Sequence, residues 1–106
     1  MSIGEDSSAS GGTRLLGRWR LLRADASLDF APDVSMEFLR GGRLHYEFLA
    51  GDRRQVISLL YRVEGNTLRT DNPAASHELS THFQFGAGEV LIFDFAGARA
   101  WFVREL

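Results

Sequence analysis

Leu15-Leu16-Gly17-Arg18-Trp19-Arg20-Leu21-Leu22 alternates in a two-residue period: Leu15, Gly17, Trp19 and Leu21 share one face, and Leu16, Arg18, Arg20 and Leu22 share the other. We therefore read a first strand over roughly Arg14 to Arg23. Gly17 sits one pleat from the Trp19 indole and has no side chain to compete for the same space. That arrangement suits the floor of a small β-barrel.

From Val34 onward the pattern is strand, turn, strand, and each register can be checked against the next. Val34, Met36 and Phe38 form one face of the second strand, and Leu44, Tyr46 and Phe48 one face of the third. A two-residue Gly41-Gly42 turn pairs Phe38 with His45 and throws these faces apart. A three-residue Arg40-Gly41-Gly42 loop, with a left-handed glycine, pairs Phe38 with Leu44, and the hydrophobic pattern selects it. A two-residue Gly51-Asp52 turn then sets Tyr46 against Ile57 and Leu44 against Leu59. Gly65-Asn66 does the same for Val63 with Leu68 and Tyr61 with Thr70. After the loop 72–76, Leu79, Thr81, Phe83 and Phe85 continue the inner face. A Gly86-Ala87-Gly88 loop leads to Leu91, Phe93 and Phe95, whereas an Ala87-Gly88 turn reverses their facing. A tight Gly97-Ala98 turn brings in Ala100, Phe102 and Arg104.

These segments make eight short strands, joined by hairpin-length turns except after the first and fifth. No segment carries a helical period. We expect an all-β, eight-stranded antiparallel up-and-down barrel, with an open β-sandwich as its competitor. Closure removes the sheet edges that otherwise need protection. The connection Ala24–Asp33 carries Leu28 and Phe30 as apolar anchors, enough to fold over a barrel mouth. Residues 1–13 are Ser, Gly and acidic residues with little to bury and read as a disordered tail, leaving 14–106 as one domain.

Composition narrows the function classes. At 106 residues the chain is long enough for one core, and a net charge of −2 gives no global field for nucleic acid or anionic membranes. All twelve Lys-or-Arg positions are arginine, which we read as a compositional bias. With no cysteine, disulfides and thiolate chemistry are excluded and the fold must hold by packing. There is no apolar run of membrane length and no signal-peptide pattern, so we expect a cytoplasmic location and no membrane partner.

Gly17-x-Trp19 on the first strand, the meander of hairpins and Arg104 on the last strand together resemble the calycin superfamily, in particular a short bacterial lipocalin-like domain. The resemblance spans about Arg14 to Leu106. It implies that Trp19 sits at the closed end with Arg104 packed across it, and that a small hydrophobic molecule binds inside. The register independently places Trp19 and Arg104 on the same inward face, where a guanidinium can lie on an indole while its stem covers apolar surface. The chain lacks the length, the cysteines and the C-terminal helix of larger lipocalins.

Inward parity gives a candidate ligand-binding set of Tyr46, Gln55, Tyr61, Thr70 and Thr81 among Phe48, Phe83 and Phe85, with Phe38 and Phe93 nearby. The alternative is a filled barrel, in which these groups satisfy one another and the protein works through its outer surface as an interaction or inhibitor module. A third reading is a calycin-type enzyme, requiring Tyr46, Tyr61 and Arg104 to converge. No cofactor is implied. His45 faces Glu37 across the strands, two residues from Glu47; this can hold a metal or be an ordinary outer polar cluster, and we assign no metal. His77 opens a strand near a barrel end, and His82 points outward alone. Arg40 and Arg43 flank one turn, Arg53 and Arg54 the next, at opposite ends of a meander, so they form no nucleic-acid patch. Trp101, Val103, Val90 and Ile92 fall on the outer face of the last two strands and suggest a homodimer surface.

Overall fold

The computed structural model describes residues 14–30, 33–74 and 77–105, and of His77 only the backbone. The tail assigned to 1–13 lies outside these described residues. Eight strands are present: β1 (Gly17–Ala24), β2 (Ser35–Leu39), β3 (Arg43–Ala50), β4 (Arg53–Glu64), β5 (Thr67–Asn72), β6 (His77–Phe85), β7 (Leu91–Phe95) and β8 (Ala98–Glu105). Each pairs antiparallel with the next and β8 pairs with β1, closing an all-β, single-domain, up-and-down barrel. No described helix is long and apolar enough to cross a membrane.

The registers follow the hydrophobic pattern. Phe38 pairs with Leu44 across a loop in which Gly41 and Gly42 take φ of +83° and +76°. A β-branched or bulky residue would be strained there. Tyr46 pairs with Ile57, Val63 with Leu68 and Thr70 with Leu79. Because side chains alternate, these pairings send Trp19, Phe38, Leu44, Leu68, Phe83, Leu91, Phe93 and Phe102 into a core at most 5% exposed. Burying each such side chain contributes about 1.5–3 kcal/mol.

Three boundaries differ from the sequence reading. The first strand begins at Gly17, not Arg14: Leu15 is fully buried and its carbonyl accepts a hydrogen bond from Trp19 Nε1 at 2.8 Å, so the entering chain folds over the barrel end. The β6–β7 connection takes five residues, 86–90, with a 3-10 turn at Ala87–Glu89 closed by the Gly86 N–H donating to the Val90 carbonyl at 2.7 Å. Phe85 thus pairs with Leu91, which keeps Leu91 and Phe93 inward but moves Val90 off the strand. The last turn is Ala96-Gly97, with Phe95 opposite Ala98, a slip of two residues that preserves facing. Closing the turn one residue earlier lets Asp94 Oδ1 accept the Gly97 N–H at 2.7 Å.

Candidate functional site

The two ends of the barrel are unlike. At one end Trp19 is fully buried, 6.1 Å from the Phe85 ring, and the Arg104 guanidinium lies 4.2 Å over the indole. Arg104 Nη1 donates to the Leu16 carbonyl and Nη2 to the Arg14 carbonyl, each at 2.8 Å. Arg14 in turn stacks 3.9 Å over Phe85. Tyr61 also belongs to this floor: its ring meets Phe38 edge-on at 5.1 Å and its hydroxyl donates to the Leu39 carbonyl at 3.1 Å.

The other half of the barrel is not filled. It holds a cavity of about 290 Å³, walled by Phe30, Phe93, Phe95 and Phe102 and by Met36, Leu44, Ile57, Leu59, Leu68 and Leu79. Its polar lining among the described residues is Tyr46, Thr70, Asn72 and Thr81, all uncharged. Ile57 and Leu79 face inward yet are 37% and 53% exposed, which marks the mouth. Burial raises the Tyr46 hydroxyl pKa above the ordinary tyrosine value, so that group stays a neutral donor and acceptor. Phe30, from the connection after β1, packs edge-on against Phe95 and Phe102, both at 6.2 Å, and closes one side.

Of the residues singled out from the sequence, the structure brings Tyr46, Thr70 and Thr81 to this cavity. The others lie elsewhere. Gln55 is exposed near the β3–β4 turn, and Phe48 packs beside Tyr46 at 5.9 Å without lining the cavity. Phe83 and Phe85 meet at 5.9 Å below it, Phe85 against Trp19, and Tyr61 is committed to the floor. Parity correctly put all of them on one face; it carries no information on depth, which the stagger of tilted strands decides. Ile57 and Leu79, on that same face, reach the cavity by their depth, and Asn72, which the sequence reading places in the 72–76 loop, is the last residue of β5. Phe30 lies in a connection with no period at all, where only its apolar character was a signal.

Tyr46, Tyr61 and Arg104 do not converge, since the cavity holds one and the floor the other two. Burial raises the Tyr61 pKa. That geometry gives acid–base chemistry no shared point of attack. On the outer face, Glu37 does pair with His45 in register, but its carboxylate and that of Glu47 hold Arg18, at 3.4 and 2.9 Å, instead of gathering around the imidazole. Arg54 adds Asp33 at 2.7 Å and Glu47 at 3.4 Å. No cluster of three or more potential metal ligands occurs among the described residues. His82 is exposed, with Nδ1 3.4 Å from Thr67 Oγ1, and the His77 side chain lies outside the described residues. Ile92 pairs with Trp101 on the outer face as expected, but Arg23 lies 4.1 Å over the indole and Val90 sits in the preceding loop, so the apolar face is smaller than the sequence suggested.

Fold and site together define a closed, eight-stranded up-and-down β-barrel with a sealed floor and an apolar cavity open at the opposite end. A scan of protein-family models and searches of curated proteins and of solved structures return no match to this chain. The functional reading therefore rests on the barrel's own geometry.

Proposed function

We propose that this protein is a short lipocalin-like binding protein that takes a small hydrophobic molecule into the open half of its barrel. The observation that carries this reading is the cavity itself: about 290 Å³ of apolar interior with four neutral hydrogen-bonding side chains, at the end opposite Trp19. Ligand sites are typically concave and mostly apolar with a few placed polar groups, at about 300–1,000 Å³, so this one suits a compact ligand. The Trp19–Arg104 floor supports the calycin resemblance, and a bacterial source and a cytoplasmic setting belong to the same proposal.

The test is a thermal-shift panel of hydrophobic small molecules on the wild type and on Thr81→Trp, which fills the cavity from β6. A ligand at 100 times its Kd adds about 2.7 kcal/mol to the wild type. We expect stabilisation of the wild type that Thr81→Trp abolishes. A flat wild-type response across the panel overturns the reading in favour of a barrel that acts through its outer surface.

A further inference from the structure

We infer that the cavity selects an uncharged amphiphile, a compact apolar body with one neutral hydrogen-bonding head such as an alcohol or primary amide, and rejects the carboxylate of the same skeleton. This rests on the binding reading above and adds the chemical class of the ligand. Among the described residues, every polar side chain that lines the cavity is neutral: Tyr46, Thr70, Asn72 and Thr81. Asn72 Oδ1 already accepts the Ala74 N–H at 3.0 Å, which leaves its amide nitrogen as the donor available at the cavity edge. Thr70 and Thr81 stand on paired strands, Thr70 opposite Leu79 and Thr81 opposite Leu68, and each hydroxyl can donate and accept. These groups match a hydroxyl or amide head, which also donates and accepts.

They do not neutralise an anion. Among the described residues, Arg104 shares the inward face but sits at the floor, with its guanidinium engaged by two backbone carbonyls and the indole. Arg18 and Arg54 are held on the outer face by Glu47 and its neighbours, and Arg53, exposed at the β3–β4 turn, does not line the cavity. A carboxylate entering this apolar space therefore loses its hydration without gaining a counterion, which is costly, whereas a neutral head exchanges water for side-chain hydrogen bonds.

The experiment uses the full chain at mildly alkaline pH, where free decanoate is fully ionised. It follows displacement of the uncharged fluorophore N-phenylnaphthylamine by decanol, decanamide and decanoate below their aggregation limits. Decanol and decanamide are expected to displace the probe, with decanoate weaker by about tenfold or more. Leu79→Arg, at the exposed mouth and checked for folding by circular dichroism, is expected to raise decanoate affinity selectively. Decanoate binding as tightly as decanol in the wild type overturns this inference while leaving the binding reading standing. So does a folded Leu79→Arg with no gain for decanoate. Failure of the fluorophore and all three competitors to bind overturns the binding reading instead.

Discussion

Arg104 and Gly17 are fitted to one another. A Cβ on Gly17 would stand 2.9 Å from Arg104 Nη1, and Gly17 holds a φ of +117° that side chains rarely adopt. The missing side chain is what lets the guanidinium lie flat on Trp19 and reach the Leu16 carbonyl. Glycine, arginine and tryptophan thus form one seal, joining the first strand to the last at the floor of the barrel, where Trp19 pairs with Arg104.

Breaking that seal has a measurable signature. Arg104→Ala is expected to cost about 1–3 kcal/mol in urea unfolding, through lost packing, two lost carbonyl hydrogen bonds and an uncovered indole. Gly17→Ala is expected to destabilise as well, through backbone strain and the close approach to Nη1. In the double variant the steric part disappears, so the two losses should sum to more than the combined loss. Strict additivity would show that Gly17 is required for its backbone conformation alone.

Glu47 makes stability pH-dependent. Its side chain is 14% exposed, and the hydrogen bonds and charge of Arg18, reinforced by Arg54, hold its carboxyl below the ordinary carboxylate range. A folded-state pKa below the unfolded one contributes stability that is complete at neutral pH. That contribution is lost as pH falls below about 4. Glu47→Gln should lower stability at neutral pH and flatten the acid limb of the profile. Urea midpoints collected from about pH 7 down to about pH 3 check both. An unchanged acid limb in the variant would assign it to other carboxylates.

Phe30 is the side wall contributed by a loop instead of a strand. Phe30→Ala is expected to cost about 1–3 kcal/mol, less than the truncation of a fully buried phenylalanine, because the ring is only partly buried. It should also widen the cavity, so that bulkier neutral ligands gain affinity relative to slim ones. A thermal-shift panel graded by ligand width separates this outcome from simple destabilisation, which would weaken all ligands alike.

The outer face of β7 and β8 carries Ile92 directly opposite Trp101, with Val103 one step along. Sedimentation at micromolar concentration is expected to show a dimer that Trp101→Arg dissociates. A wild type that stays monomeric throughout would leave Arg23, 4.1 Å over the indole, as sufficient cover for this face.

Much of the architecture is legible without coordinates, for a local reason. Strand side chains alternate strictly, so a turn of the wrong length would expose a whole apolar face. Phe38 opposite Leu44, Tyr46 opposite Ile57 and Val63 opposite Leu68 follow from that constraint alone. The last two connections differ from the sequence reading by register shifts of two residues each, and an even shift preserves the facing of Phe93, Phe102 and Arg104.

Depth along the barrel is a different matter. Residue alternation is enough to give Tyr46, Tyr61, Phe83 and Phe85 a shared interior. That Tyr46 faces open space while Tyr61, Phe83 and Phe85 lie below it follows from the closed barrel. Only the folded barrel could bring Phe30 from an aperiodic loop onto Phe95 and Phe102, and Arg23 onto Trp101. The pleat is a property of neighbouring residues and is written in their order. The stagger that sets height within the barrel, and the cavity that results, come from all eight strands closing at once.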